Sequence, residues 1–236
     1  MVTEILKSYI PEHAEPLSEE QYAQLERYAE LLVEWNEKMN LTAITDPEGI
    51  AVKHFLDSLA FLKRAKIPEG ARVADVGTGA GFPGIVLKIA RPDIKLVLID
   101  SLQKRLNFLD VVTNEIGIKA KLIHARAEDA GHDKSLRESF DFVTARAVAN
   151  LAVLSEYCIP LVKVGGVFAP MKTAEVAEEI EGAKAAAKIL GAEIRKPEIY
   201  EVPIAGGRSF VFMDKKAATP PKYPRQRVKI SEKPLK

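Results

Sequence analysis

The first 66 residues carry their apolar side chains at helical spacing. Over residues 18–40 the apolar positions recur every three or four residues: Tyr22, Leu25, Ala29, Leu32 and Met39. This pattern predicts a helix with one apolar and one acidic face, and Ser18 with Gln21 forms a capping-box pattern at its start. A second helix is predicted over about 48–65. We therefore expect residues 1–66 to form an N-terminal helical cap.

From residue 71 the pattern changes to short apolar runs separated by helical segments. Five runs are predicted as strands: 72–76, 95–100, 120–125, 140–145 and 164–171. Strands that alternate with helices indicate a parallel sheet covered by helices on both faces. The last two runs, 192–202 and 209–213, are joined too briefly for a helical crossover and must form an antiparallel hairpin. The chain is thus predicted to be α/β, with a seven-stranded mixed sheet in residues 67–213.

Composition and charge restrict the possible functions. The 236 residues are 47% hydrophobic and carry a net charge of +1, but residues 1–40 hold nine acidic and three basic side chains. Residues 214–236 hold eight basic and two acidic ones, and form a basic C-terminal tail. Such a tail can contact a phosphate backbone, although charge alone favours a solvated terminal segment.

The same composition gives expectations about metal, membrane and compartment. There is one cysteine, Cys158, and none of the four histidines lies at ligand spacing from it, so we expect no metal site. No apolar run is long enough to span a bilayer, and no signal peptide is visible. We expect a cytoplasmic protein without membrane contact.

Four of the fourteen glycines lie within DVGTGAGFPG, residues 75–84, directly after the first predicted strand. The loop can be read in two registers. Starting at Gly79 it has the dinucleotide-binding spacing, with Gly81 and Gly84; starting at Gly77 it has glycines at alternate positions. In a parallel sheet, ligands bind at the carboxyl ends of the strands, where this loop lies.

Neighbouring residues favour S-adenosylmethionine as the ligand of this loop. Asp75 would repel a pyrophosphate but attract an ammonium and a sulfonium group, and Pro83 removes one N–H donor. Asp100 ends the second strand and can accept ribose hydroxyls, while Ala127 and Glu128 in the third loop can contact an adenine. An NAD-dependent oxidoreductase remains the alternative from another class.

The acceptor of the methyl group should lie after the fourth strand, near Arg146. The sequence has no motif there for methylating an exocyclic amine, and Cys158 lies mid-helix, where it is no nucleophile. A ring nitrogen such as guanine N7 needs no base, so alignment and electrostatic support suffice. Arg146 can serve there, or simply pair with an acid such as Asp141. His54 and Asp57 share one helix face and can line the same cleft, although the spacing favours a hydrogen-bonded pair on the surface.

Seven segments of the sequence together resemble the RsmG/GidB family of bacterial guanine-N7 methyltransferases of 16S rRNA. They are WNEKMNLTAI (35–44), HFLDSL (54–59), DVGTGAGFPG (75–84), KRLNFL (104–109), RAE (126–128), FDFVTARAVANL (140–151) and KYPR (222–225). The resemblance covers nearly the whole chain and implies a class I methyltransferase-like Rossmann fold. It also implies 16S rRNA or the small ribosomal subunit as partner.

The resemblance further implies specific site residues. Those expected to contact S-adenosylmethionine are Gly77, Phe82, Ala127, Glu128 and Arg146. Lys172 and Arg225 are candidates for contacts with the RNA, together with His54. The sequence departs from the family at Asp100, where glutamate is usual, at Lys172-Thr173, where Lys-Gly is usual, and after KYPR. A non-catalytic RNA-binding module, suggested only by the basic tail, is a further alternative.

Overall fold

The computed structural model describes residues 1–204 and 206–235, which form a mixed sheet packed between helices. The α-helices are α1 (Val2–His13), α2 (Glu19–Met39), α3 (Pro47–Gly49), α4 (Asp57–Ala65), α5 (Gly84–Ala90), α6 (Gln103–Glu115), α7 (Ala127–Ala130), α8 (Leu151–Cys158), α9 (Ala177–Ile189) and α10 (Arg227–Glu232). The strands are β1 (Arg72–Val76), β2 (Lys95–Asp100), β3 (Ala120–His124), β4 (Phe140–Arg146), β5 (Val162–Thr173), β6 (Ala192–Ile194), β7 (Glu198–Val202), β8 (Gly206–Phe210) and β9 (Met213–Lys215). None of the helices in these residues is both long and apolar enough to cross a membrane.

The helices of the first 66 residues pack onto one face of the sheet. Helix α2 begins at Ser18 with the predicted capping box. Helix α1 was not predicted, because Pro11 and the absence of a side-chain cap hide it in the sequence. Its first turn is fixed from α2, where the Glu26 carboxylate accepts the backbone N–H groups of Val2 and Thr3 at 3.1 and 2.8 Å. Apolar side chains of these helices and of β1 share one core cluster.

The predicted helix over 48–65 is present, but its centre is wound more widely. Residues Ile50–Leu56 form a π-helical segment that joins α3 to α4 without a break. This segment carries His54, and Asp57 begins the α-helix that follows. π-Helical turns often occur at functional sites.

The sheet has the strand order β3-β2-β1-β4-β5-β8-β7. Strands β1 to β5 are parallel to one another, whereas β8 and β9 pair with β5 in antiparallel orientation. The order reverses between β1 and β4, and the carboxyl ends of β1, β2 and β4 therefore surround one crevice. This arrangement agrees with the predicted fold class.

The predicted closing hairpin of 192–202 with 209–213 is wrong in detail. Both of its strands are interrupted, so that β6 pairs with β9 and β7 pairs with β8, and residues 1–204 and 206–235 contain nine strands instead of seven. Pro197 lies in the interruption between β6 and β7, and a proline has no backbone N–H for a strand ladder. The antiparallel orientation was predicted correctly.

The interpretation of the basic tail as a solvated segment is also wrong. Tyr223, Ile230 and Leu235 are buried in the second core cluster, and α10 forms within the tail. The Arg225 guanidinium donates to both carboxylate oxygens of Glu156 in α8, at 2.7 to 3.2 Å, and the Glu156 side chain has no exposed surface. The tail packs against the protein because its apolar side chains and Arg225 contact residues that are distant in sequence.

The Arg225–Glu156 pair gives a test of how the tail is held. Replacing Arg225 by Met leaves a buried carboxylate without its partner, and we expect the free energy of unfolding to fall by about 3 kcal/mol in urea titrations. The matched control is Arg195→Met, which breaks a half-exposed pair with Asp214 and should cost less than about 1 kcal/mol. Equal losses in the two variants would contradict a buried anchor.

Candidate ligand-binding site

The loop after β1 folds back against the end of β2. The N–H groups of Gly77 and Thr78 both donate to the Ile99 carbonyl, at 2.8 and 3.3 Å. Gly81 has a φ of +100°, and a Cβ there would lie 2.7 Å from the Tyr28 hydroxyl. Only glycine fits such a position, which explains the third glycine of the loop.

Asp75 holds the loop from below and does not face the crevice. Its side chain is fully buried, and Oδ2 accepts hydrogen bonds from Thr78 Oγ1 at 2.7 Å and from Gly84 N at 3.0 Å. Its Oδ1 has no hydrogen-bond partner among the described residues. Burial raises the pKa of this carboxyl to about 6. The expectation that Asp75 lies openly beside the ligand is therefore wrong, because the loop it fixes covers it.

A cavity of about 480 Å³, here called the loop cavity, lies at the carboxyl ends of β1, β2 and β3. Four of the predicted residues line it: Gly77, Asp100, Ala127 and Glu128. Asp100 accepts hydrogen bonds from Gly79 N and Leu102 N, both at 2.9 Å, so its carboxylate has a fixed orientation. Gly79 contributes through this bond and does not line the cavity itself. The volume is typical of a small-molecule site.

Sequence reasoning missed the remaining walls of the loop cavity. Val148 and Ala149 after β4 and Tyr157 in α8 line one side. Side chains of the C-terminal helix α10 line another: Arg227, Val228, Ser231 and Glu232. No local motif marks these residues, because they enter the site only through the packing of distant segments.

Arg146, at the end of β4, lies outside the loop cavity and is held among residues of the helical segment 47–65. Its Nη1 donates to the Lys53 carbonyl at 3.1 Å and pairs with Asp57 Oδ2 at 3.4 Å, while Nη2 donates to His54 Nδ1 at 3.2 Å. The predicted alternative partner, Asp141, instead pairs with Lys163. The predicted ion pair of Arg146 is therefore present, but its partner is Asp57 and not Asp141.

The charges around Arg146 are buried and compensate one another. Asp57 also pairs with Arg208 Nε at 3.2 Å, so one carboxylate lies between two guanidinium groups. Burial raises the pKa of Asp57 in spite of these cations. Burial and the charge of Arg146 lower the pKa of His54 to about 3, so the imidazole is neutral. Nδ1 lies 3.2 Å from both Arg146 Nη2 and the Lys53 carbonyl; we assign Nδ1 as the acceptor of Arg146, which puts the proton on Nε2, 3.0 Å from Thr42 Oγ1.

A second cavity, of about 380 Å³, opens beside Arg146 and is here called the arginine cavity. The predicted residues His54, Arg146 and Lys172 line it together with Asp57 and Arg208. Lys172 Nζ pairs with Glu179 at 2.6 Å and donates to the Ala149 carbonyl at 3.0 Å. The segment 147–149 lies between the two cavities, since Ala147 lines this one and the next two residues line the loop cavity.

Besides Asp75 and Gly79, two more predicted residues line neither cavity. Phe82 is buried and stacks on His54 with ring centroids 4.4 Å apart, and the Arg146 guanidinium lies 5.0 Å above its ring. Phe82 therefore belongs to the glycine loop but contacts two residues of the arginine cavity, His54 and Arg146. Arg225 is engaged by Glu156 in the tail, as described above, and its guanidinium is not directed into the arginine cavity.

The backbone of the glycine loop does not suit a pyrophosphate. The N–H groups of Gly77, Thr78, Gly79, Gly81, Phe82 and Gly84 all donate within the protein, and Pro83 has none. A dinucleotide needs such donors for its phosphates. A Cβ on Gly77 would come within 2.7 Å of Val148, so the glycine allows Val148 to approach the loop closely. The loop therefore favours an adenosyl compound without phosphates over a dinucleotide. In residues 1–204 and 206–235, no three His, Cys, Asp or Glu side chains converge as metal ligands.

Comparisons with known proteins agree with this site. The family model described as GidB, rRNA small subunit methyltransferase G, matches residues 21–200. A ribosomal RNA small subunit methyltransferase G of Desulfitobacterium hafniense is 48% identical over 221 residues, 93% of this chain and 91% of the relative. One of Desulforamulus reducens is 46% identical over 236 residues, 99% of this chain and 98% of the relative.

Solved structures with low sequence identity share the fold. A methyltransferase from Pyrococcus furiosus superimposes with a TM-score of 0.58 at 15% identity, covering 81% of this chain and 98% of that one. A SAM-dependent O-methyltransferase from Thermotoga maritima gives 0.54 at 17% identity, covering 80% and 72%. These similarities confirm the class I methyltransferase fold.

The lowered pKa of His54 predicts a pH dependence of stability. In the unfolded chain the ring is protonated near its ordinary pKa of 6.5, whereas the folded value is about 3. The unfolded state therefore binds more protons in this window, and the stability from the neutral ring is complete above it and lost as the pH falls. From pH 7 to pH 5 we expect the wild type to lose about 2 kcal/mol more than His54→Asn in urea titrations.

Asp75 acts in the opposite direction, because its raised pKa favours the folded state as the pH falls. It is present in both proteins, so its effect cancels in the comparison. Parallel pH profiles of the wild type and His54→Asn would contradict a neutral, buried imidazole.

Proposed function

The chain belongs to the GidB family, rRNA small subunit methyltransferase G, and we propose that it methylates N7 of a guanine in 16S rRNA. It is an S-adenosylmethionine-dependent rRNA methyltransferase. When bound, the donor would supply an electrophilic methyl group on sulfur to the N7 lone pair; the electron pair of the C–S bond would go to sulfur, and no residue of the protein would need to move a proton. The family membership also supports the small ribosomal subunit as partner and the cytoplasm as the location.

The arginine cavity carries this proposal, because its side chains can position a base but cannot deprotonate one. His54 Nδ1 already accepts a hydrogen bond from Arg146, and its pKa of about 3 makes it a weak base. Asp57 lies between Arg146 and Arg208. A ring nitrogen with a free lone pair is the acceptor that needs no more than alignment and charge.

The loop cavity would hold the cofactor. Asp100 is oriented to accept the ribose hydroxyls, and Ala127 with Glu128 would contact the adenine. Gly77 lines the same cavity and would contact the methionine portion, while the buried Asp75 would act on the cofactor only by fixing the loop. Phe82 and Gly79 support the loop and would act on the cofactor through its shape.

The acceptor would enter on the other side of residues 147–149. Arg146 lines this cavity and not the loop cavity, so it would contact the guanine, with His54 holding its guanidinium in place. Lys172 lines the same cavity and can meet an RNA phosphate. Arg225 would contribute indirectly, by fixing the tail.

Methyl transfer to ribosomal RNA tests the function directly. Small subunits from a strain lacking its own enzyme of this family should gain one N7-methylguanosine per 16S rRNA when incubated with the protein and S-adenosylmethionine. Mass spectrometry of nuclease digests measures this product. Stabilisation of the protein by NAD but not by S-adenosylhomocysteine, or RNA binding without methyl transfer, would contradict the proposal.

Arg146→Lys tests the role of the arginine. Lysine keeps the charge but lacks the planar fork whose two nitrogens reach Lys53 O, His54 and Asp57. We expect the rate of methyl transfer to fall by at least about tenfold, because the loss of one well-placed interaction with the transition state has an effect of about this size. Arg91→Lys, which alters a partly exposed pair with Asp93 away from both cavities, is a milder comparison and should retain most of the activity. Full activity of Arg146→Lys would contradict this role, because it would show that the planar guanidinium group is not required for methyl transfer.

A further inference from the structure

The C-terminal helix α10 has one face in the core and one face on the loop cavity. Ile230 is completely buried in the second core cluster. The residues on the other face all line the cavity: Arg227, Val228, Ser231 and Glu232. Their spacing of one, three and four residues places them on adjacent positions of a single helical surface. The helix is therefore packed against the protein in a fixed rotation, with a defined surface toward the cavity.

Val228 is the apolar group on this cavity face. It is 62% exposed in the absence of a ligand, although it lines a concave site. Single exposed apolar residues are common on protein surfaces. Here the exposed side chain lines the same cavity as Ala127, so both residues can offer apolar contact to a ring bound there.

Arg227 of α10, Glu128 and Tyr157 all line the loop cavity. The Tyr157 hydroxyl is influenced by Glu128, which raises its pKa, and by Arg227, which lowers it, in addition to the larger effect of burial. Both charged side chains therefore lie near the same hydroxyl group. Glu128 is the residue proposed above as the polar partner of the adenine.

The helix is held in this position before any ligand binds. Arg225, two residues before it, forms the buried pair with Glu156 and also donates to the Lys233 carbonyl at 2.9 Å, just after it. Both ends of α10 are thus tied to one guanidinium. A wall fixed in this way contributes contacts to a ligand without the cost of ordering a loose segment.

We propose that α10 forms the wall of the cofactor site over the adenosyl group, with Val228 packed against the adenine. This inference rests on the proposed function, because it takes S-adenosylmethionine as the occupant of the loop cavity. It assigns a role to a segment that lies beyond the residues matched by the family model, which end at 200. The basic tail thereby becomes part of the cofactor site.

The test measures the affinity of the full chain for S-adenosylhomocysteine and for 5′-methylthioadenosine by titration calorimetry. Val228→Asp places a carboxylate against the adenine, and we expect the dissociation constants of both ligands to rise by at least about tenfold. Val228→Ala removes only part of the apolar contact and should raise them about threefold. The two ligands share the adenosyl group but differ in the amino-acid portion, so equal changes locate the contact.

Val164→Asp is the matched control, because Val164 is also an exposed valine, at 53%, and lines neither cavity. Its affinities should stay within about twofold of the wild type, with thermal unfolding recorded for all variants. Unchanged affinity in Val228→Asp, or a change for S-adenosylhomocysteine alone, would overturn the inference. Failure of the wild type to bind either ligand would instead overturn the proposed cofactor.

Discussion

The buried charge of Arg146 is the constraint on which the site depends. Only 18% of its side chain is exposed, and a guanidinium cannot remain there without compensation. Asp57 supplies the opposite charge and His54 a neutral acceptor, and both come from the helical segment before the sheet. The same contacts therefore fix the arginine, attach the N-terminal helices to the carboxyl end of β4, and form the arginine cavity.

A similar constraint explains the glycine loop. Its glycines allow the chain to turn sharply, but the two carboxylates below and beside it determine which ligand it suits. Asp75 and Asp100 accept the N–H groups of Gly84 and Gly79 that a pyrophosphate would require. Loops for both ligand classes can have the same glycine spacing. They differ in whether the backbone N–H groups of the loop are free to bind the ligand. The chemistry of the loop thus follows from its hydrogen bonds more than from its motif.

The loop-cavity half of the site could be predicted from the sequence because parallel strands bring their ends together in a regular way. Asp100, Ala127 and Glu128 each follow a strand and reach the same cavity. The partner of Arg146 could not be predicted in this manner. Asp141 is close in sequence but lies near the other end of β4, about 16 Å away at 3.3 Å per residue.

The contribution of the tail was also beyond sequence reasoning. Arg225 and Glu156 are 69 residues apart, and neither helical periodicity nor net charge relates them. The composition shows only that the tail is basic, whereas a few buried contacts determine its structure.

A crystal structure with S-adenosylhomocysteine tests the central claim most directly, namely that cofactor and acceptor occupy cavities on opposite sides of residues 147–149. We predict that the adenosyl group lies in the loop cavity between Ala127 and Val228, with its ribose on Asp100 and its sulfur toward Arg146. Electron density for the ligand in the arginine cavity, or an α10 displaced from the ligand, would contradict this account.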